Sequence, residues 1–290
     1  MEENNKIQDT QEQAPIKPAV LDYDDICKIA PFFKGKEKLV NRLFHWLAID
    51  KTNDFHKRYM HLPGPDFTHM MFEEELKAPV TIRNEHILDN LPDGPFVTVS
   101  NHPFGSLDGM SLIDIVGHRR PDFKVMVNMI LNQIGALRPN FIAVDALASN
   151  DPAKRAVSVK GITDALRHVK QGHPLGFFPA GAVSKLTWGF RIQDREWQPS
   201  VIRIIQKLKV PVIPIYFHGH NSWKFTALGM IDWRLRTLRL PTEVFNKKGY
   251  NFRVSVGEII TPETMAQYST PEELGAFLKQ QTYNLKKWQK

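Results

Sequence analysis

Short apolar runs alternate with helix-like segments along the chain from about residue 96 onward. The apolar runs are rich in Val, Ile and Phe, and they predict strands at 97–99, 123–128, 141–144, 175–178, 212–217 and 252–256. The intervening segments carry apolar residues at helical spacing, and they predict helices at 110–118, 129–137, 151–169, 197–208 and 271–288. Strands and helices in alternation predict an α/β fold with a mostly parallel central sheet flanked by helices.

The N-terminal part of the chain has a different pattern. Residues 1–19 are polar and charged, which predicts a disordered tail. Residues 20–78 predict an N-terminal helical extension, and residues 79–290 predict the α/β domain. Apolar side chains within 39–47 share one helix face with basic residues nearby. That face predicts either packing against the domain or contact with a membrane through Trp46, and both can hold for different faces.

Composition and charge narrow the class of protein. The chain has 290 residues, of which 42% are hydrophobic, and its net charge is +7. A basic surface suits anionic lipid headgroups, acyl carrier protein or nucleic acid as partners. Nucleic acid is the least favoured of the three, because no segment resembles a nucleic-acid-binding module. The single cysteine, Cys27, excludes an internal disulfide framework. Without a signal-peptide pattern or an apolar run of about 18 residues, we expect a cytoplasmic protein, peripheral on the inner face of the cell membrane.

Candidate chemistry is concentrated in residues 97–109, which read V-T-V-S-N-H-P-F-G-S-L-D-G. A buried strand followed by a polar loop and a helix is a common place for reactive groups in α/β proteins. His102 lies in this loop and Asp108 follows six positions later. A carboxylate bonded to one ring nitrogen raises the basicity of the other, so the pair predicts a general base and its orienting acid. The alternative is a tight turn in which Asp108 only caps the following helix.

Three segments of the chain resemble the conserved boxes of the glycerolipid acyltransferases, in the same order. Residues 101–109 (N-H-P-F-G-S-L-D-G) resemble the His–Asp box of that superfamily, typified by 1-acylglycerol-3-phosphate acyltransferases. Residues 177–185 (F-F-P-A-G-A-V-S-K) are similar to its F-P-E-G-T-R-S box, and residues 210–219 (V-P-V-I-P-I-Y-F-H-G) to its V-P-[IV]-[IV]-P-[IV] box. The resemblance covers residues 79–262. Residues 101–109 are called box one and residues 177–185 box three, because the family has a further box between them, at 141–145 here.

The departures from the family pattern point to one branch of it. Five residues separate the box-one His and Asp instead of the usual four, as in lyso-ornithine-lipid O-acyltransferases and hemolysin-like proteins. Ala180 and Val183 replace the family Glu and Arg. Residues 141–145 (F-I-A-V-D) lack the arginine that the family uses near an acceptor phosphate. The resemblance therefore implies an acyl-amino-acid acceptor, such as a lyso-ornithine or lyso-glycine lipid, and Asp145 either faces its ammonium group or closes a turn.

The resemblance also implies a mechanism and a set of site residues. The acceptor hydroxyl attacks an acyl thioester directly, with His102 as base and Asp108 as its orienter. The co-substrate is acyl-ACP or acyl-CoA, with no other cofactor. The residues expected to contact substrate surround these two, and they are Asn101, Gly105, Phe178, Pro179, Gly181, Ser184 and Lys185. Backbone N–H groups near Gly181 are candidates for stabilising the oxyanion. The alternative for this second turn is an ordinary strand-to-loop turn with a solvated Lys185.

Two further features leave alternatives open. His218 and His220 could join His102 around a metal, but two histidines without acidic neighbours are a weak metal signature, so we expect none. Residues 233–240 alternate apolar and basic side chains. They predict either an edge strand or solvated helix, or an interfacial segment with Arg234, Arg236 and Arg239 at anionic headgroups.

The sequence therefore predicts an O-acyltransferase that acts on a lysolipid. The rival functions are a 1-acylglycerol-3-phosphate acyltransferase, a catalytically silent lipid-binding protein and a metal-dependent hydrolase.

Overall fold

A seven-stranded sheet forms the centre of the protein. The computed structural model describes residues 16–62, 64–145, 152–187 and 191–287. The strands are β1 (Val80–Arg83), β2 (Val97–Ser100), β3 (Lys124–Asn128), β4 (Phe141–Val144), β5 (Leu175–Phe177), β6 (Lys185–Thr187), β7 (Arg191–Gln193), β8 (Val212–His218) and β9 (Phe252–Val256). In the sheet they run in the order β1-β9-β8-β2-β5-β3-β4, while β6 and β7 form a separate antiparallel hairpin.

Pairing in the sheet is parallel from β8 through β2, β5 and β3 to β4. Only the contact between β8 and β9 is antiparallel, and β1 pairs in parallel with β9 at the edge. The mostly parallel α/β sheet predicted from the alternation is therefore confirmed.

Helices cover both faces of the sheet. They are α1 (Tyr23–Ile29), α2 (Glu37–Trp46), α3 (Ile49–Tyr59), α4 (Pro65–Met70), α5 (Glu85–Leu88), α6 (Ser106–Gly117), α7 (Pro152–Lys170), α8 (Pro199–Leu208), α9 (Trp223–Ile231), α10 (Trp233–Leu238), α11 (Leu240–Phe245), α12 (Pro262–Met265) and α13 (Pro271–Asn284). A π-helical turn, Met71–Glu75, follows α4. Of the predicted tail, residues 1–15 lie outside the described part of the chain, as do residues 288–290 at the end of the predicted C-terminal helix.

The apolar core is divided into two clusters, one on each face of the sheet. Val97 and Val99 are fully buried against α7, α8 and α13. Apolar residues of the neighbouring strands point the other way, into a cluster with α3, α4 and α6 that includes Phe55 and Phe67. Because side chains alternate across a strand, each face needs its own helical layer. The helices of residues 20–78 belong to this shared core, since Phe55 and Phe67 are each 1% exposed.

Local geometry corrects two predicted helices. The first core helix begins at Ser106 rather than at 110, because Gly105 takes φ of 82° and its N–H donates to the Asp108 carboxylate in the first turn. The predicted helix at 129–137 is two 3₁₀ segments, Met129–Gln133 and Gly135–Asn140. A glycine and an internal proline in the second segment disfavour an α-helix there.

Candidate active site

Two loops meet at one edge of the sheet. β2 pairs with both β5 and β8 in parallel, with Val99 opposite Phe177 and Ser100 opposite Ile215. Parallel strands end at the same edge, so box one and box three leave the sheet side by side. The Ser184 N–H donates to the His102 carbonyl oxygen over 2.8 Å, which joins the two loops directly.

His102 and Asp108 form the centre of this junction. The His102 Nδ1 lies 3.0 Å from the Asp108 Oδ2, with the two side chains 18% and 0% exposed. The distance is that of a hydrogen bond, but the ring N–H does not point well at the oxygen, so Nδ1 makes a close polar contact rather than a linear hydrogen bond. Catalytic hydrogen bonds often align only in the reacting complex. With Nδ1 turned to the carboxylate, Nε2 is the ring nitrogen left to accept a proton.

The backbone holds the Asp108 carboxylate in place. Its Oδ2 accepts from the Phe104 N–H at 2.8 Å and from the Gly105 N–H at 2.9 Å. Complete burial raises the pKa of the Asp108 carboxyl, while His102 and these two N–H groups oppose the rise. The same Asp108 oxygen that caps α6 therefore also faces His102.

Asp194 is a residue of this site that sequence reasoning missed. It is 3% exposed, and its Oδ1 accepts from the His102 N–H at 3.1 Å and from the Ser184 hydroxyl at 2.6 Å. It thereby holds the main chain of box one and the side chain of box three at once. Its neighbours in sequence, I-Q-D-R-E-W, carry no spacing that distinguishes it from a surface acid.

The turn after β5 carries Phe178, Pro179 and Gly181. The Phe178 ring lies over His102, with centroids 4.2 Å apart and planes at 32°, and Pro179 is buried. Gly181 has φ of 65°, and a Cβ there would overlap the side chain of Gln198. The Gly181 N–H donates to the Phe178 carbonyl at 2.9 Å. That N–H closes the turn, so it is already used within the protein, and the expectation of an oxyanion donor falls on the other N–H groups near Gly181.

The other predicted contact residues fall into different environments. Asn101 is 3% exposed and pairs with both backbone groups of Phe217, at 2.9 and 2.7 Å, which joins box one to β8. The Ser184 hydroxyl already donates to Asp194, whereas Lys185 is exposed at the start of the hairpin. A Cβ at Gly105 would lie 2.9 Å from a Leu240 methyl. Of these residues, Lys185 alone presents an exposed polar side chain.

The histidines near the end of β8 are used within the protein. The His218 Nε2 lies 2.8 Å from the Ser255 hydroxyl, and burial, together with Arg253 and Arg83, lowers the pKa of His218 to about 4. The His220 Nδ1 lies 2.7 Å from the Asn221 carbonyl. Within the described residues, no group of three or more His, Cys, Asp or Glu side chains is arranged to hold a metal ion.

Arg236 corrects the prediction for residues 233–240. This segment includes helix α10. Residues two positions apart share a face of a strand but not of a helix, so the three arginines do not lie on one face. Arg236 is 7% exposed, and its guanidinium donates to the carbonyls of Val183 and Ser184, each at 3.3 Å. It supports the box-three turn and does not face a membrane. Arg234 is exposed and Arg239 is partly exposed.

Comparison with known proteins defines the family. A family model described as Acyltransferase matches residues 36–289. This chain belongs to that acyltransferase family. The resemblance of its three boxes is thereby confirmed, and this acyltransferase is an enzyme.

Two curated relatives match most of this acyltransferase. A lyso-glycine lipid O-acyltransferase of Phocaeicola vulgatus is 29% identical over 276 residues, covering 90% of this chain and 94% of that protein. A second protein with the same name, from Bacteroides thetaiotaomicron, is 29% identical over 245 residues, covering 81% and 85%. Among solved structures, the 1-acyl-sn-glycerophosphate (LPA) acyltransferase PlsC of Thermotoga maritima matches with a TM-score of 0.49 and 16% identity, covering 89% of this chain and 99% of that one.

Proposed function

We propose that this acyltransferase transfers a fatty acyl group from an acyl thioester to the hydroxyl of a lyso-glycine lipid. The observation that carries the reaction is the His102–Asp108 contact at the carboxyl edge of the sheet, 3.0 Å between Nδ1 and Oδ2. The acceptor class rests on the two relatives, both named lyso-glycine lipid O-acyltransferase. Val183, in the box position where the wider superfamily has an arginine, suits an acceptor without phosphate.

The reaction divides into two proton transfers. His102 Nε2 accepts the proton of the acceptor hydroxyl as its oxygen attacks the thioester carbonyl. The resulting tetrahedral intermediate collapses, the carbon–sulfur bond breaks, and the imidazolium returns the proton to the leaving thiolate. Asp108 stabilises the imidazolium between these steps, as a buried carboxylate does in a catalytic triad. The donor thiol belongs to acyl carrier protein or coenzyme A.

The enzyme works, on this proposal, at the inner face of the cell membrane. No described helix is both long enough and apolar enough to cross a bilayer. The two segments predicted to touch lipid lie together, since the Arg239 guanidinium is 4.7 Å from the centre of the Trp46 ring. Large apolar side chains in these segments and at the end of α9 are exposed, namely Trp46, Met230, Ile231, Trp233, Leu235 and Leu238. Apolar side chains flanked by arginines suit an anionic lipid surface.

Steady-state kinetics with two acceptors tests this function. Purified enzyme is given one acyl donor and either a lyso-glycine lipid or lysophosphatidic acid, both dispersed in the same neutral detergent. We expect a higher kcat/KM for the lyso-glycine lipid, and parallel assays with acyl-ACP and acyl-CoA identify the donor. A higher kcat/KM for lysophosphatidic acid would contradict the acceptor assignment.

A further inference from the structure

Arg236 carries a buried charge with no acidic partner nearby. It is 7% exposed, and no Asp or Glu oxygen lies within 4 Å of its guanidinium among the described residues. Its protein partners are the Val183 and Ser184 carbonyls, each at 3.3 Å. Buried arginines are normally paired with a carboxylate, because desolvating a guanidinium is costly. Burial, together with nearby Arg195, lowers the pKa of Arg236.

Asp194, the acid that shares Ser184 with Arg236, forms no ion pair with the guanidinium. Asp194 accepts from the His102 N–H, the Ser184 hydroxyl and the Trp197 indole N–H at 3.1, 2.6 and 3.4 Å. These donors already stabilise its carboxylate. Arg236 has five N–H donors, and the two carbonyl contacts leave others for a second acceptor.

The turn that the guanidinium contacts packs against the His–Asp loop. Ser184, whose carbonyl accepts from Arg236, donates its own N–H to the His102 carbonyl at 2.8 Å. The Val183 carbonyl also accepts from Arg236, and a Val183 methyl lies 3.2 Å from the position that a Cβ on Gly105 would occupy. Arg236 is therefore linked through two residues to the loop between His102 and Asp108.

We propose that Arg236 binds the carboxylate of the acceptor's amino-acid headgroup and so selects an acyl-amino-acid lipid. This inference rests on the proposed function. When the amino group of glycine is acylated, its carboxylate remains free and negatively charged. An arginine fork matches a carboxylate in geometry as well as in charge. In box three, Val183 occupies the position where the wider superfamily has an arginine. In this protein Arg236 of α10 brings a positive charge to the same turn.

The test uses acceptors that differ only in charge. One acceptor is the lyso-glycine lipid, which has a free carboxylate, and the other is its methyl ester. Both are dispersed in the same neutral detergent and assayed with the wild-type enzyme and with Arg236→Gln. We expect the wild type to prefer the free acid. Arg236→Gln should raise the KM for the acid by about tenfold to a hundredfold, the effect of losing one hydrogen bond to a charged group, and leave the ester little changed. Arg203→Gln, an exposed arginine on α8, is the matched control.

The other outcomes contradict either the role of Arg236 or the proposed function. Equal loss on acid and ester would mean that Arg236 only supports the turn. A raised KM confined to the acyl donor would assign the anion to the donor's phosphate groups. If Arg236→Gln does not fold, the wild type decides alone, because equal kcat/KM for acid and ester would overturn the proposal. If the wild type acylates neither acceptor while acylating lysophosphatidic acid, the proposed function itself fails.

Discussion

His102 and Asp108 share one contact but differ in what holds each of them. The Asp108 side chain is completely buried and bonded to two backbone N–H groups, so it belongs to the fold of α6 as well as to the site. The His102 side chain is 18% exposed and its main chain is held by Asp194 and Ser184. Substituting the histidine side chain therefore removes the ring while the main-chain bonds that hold the loop stay in place.

His102→Ala should lower kcat by about 10²- to 10⁴-fold, the usual contribution of a general base, while the protein stays folded. Asp108→Asn keeps an oxygen for the two N–H groups but loses the negative charge that stabilises the imidazolium. We expect it to be folded and impaired, though less than His102→Ala. Steady-state acyl transfer and thermal melts check both variants. Turnover of His102→Ala within a few-fold of wild type would remove the general-base role.

At the scale of elements, α10 directs the basic residues of 233–240 to two different environments. Its helical period places Arg236 inward on box three, while Arg234 stays exposed beside the Trp233 ring, 5.6 Å from the ring centre. Arg239, just after the helix, lies over Trp46 of α2. The apolar and basic side chains that remain outside form one surface from two distant segments. The proposed membrane contact and the support of the box-three turn are therefore neighbours on a six-residue helix.

Reversing the charge of Arg234 and Arg239 to Glu should release the enzyme from anionic vesicles. Each basic residue near an anionic leaflet contributes about 1 kcal/mol to binding, and the contribution is screened by salt. Arg236 is left intact, because changing it would disturb the turn. The control is Arg203→Glu with Lys207→Glu, which makes the same change in net charge on α8. Vesicle sedimentation measures the result, and equal release by both double variants would refute this placement of the membrane face.

At the scale of the whole molecule, two buried histidines link stability to pH. Burial lowers the pKa of His168 to about 4, assisted by Lys124, and burial with Arg253 and Arg83 lowers that of His218 to about 4. An unfolded chain binds a proton at each with a pKa of about 6.5. Between these values the unfolded state holds more protons, so stability falls as the pH drops from about 6.5 towards 4.

The His218→Gln variant should flatten this loss. Glutamine can still meet the Ser255 hydroxyl but does not titrate, so the variant loses up to about 3 kcal/mol less stability than wild type across the window. Asp108 and Asp114, whose pKa values burial raises, contribute the opposite slope in both proteins and cancel in the comparison. Urea unfolding at pH 7 and pH 4.5 measures it. Parallel pH dependence in the two proteins would contradict the prediction.

Local patterns predicted much of this protein. The order of strands and helices can be predicted from hydrophobic periodicity and residue composition, because both depend only on residues that are close in sequence. The mostly parallel sheet could be predicted from that order. His102 and Asp108 could be paired from their spacing, because one short loop and the first turn of α6 join them. The start of that helix was misplaced by four residues, since Gly105 needs a positive φ and a carboxylate cap that periodicity does not show.

Only the tertiary structure assigned Asp194 and Arg236 to the site. Asp194 reaches His102 across 92 residues of sequence, and Arg236 reaches Val183 across 53. Contacts over such separations depend on strand order and loop packing, and no local pattern records them. In the same way, an alternation of basic and apolar residues was compatible with a membrane face for all three arginines. The helix α10 buried one of them, because a period of 3.6 residues turns Arg236 to the side opposite the exposed Arg234.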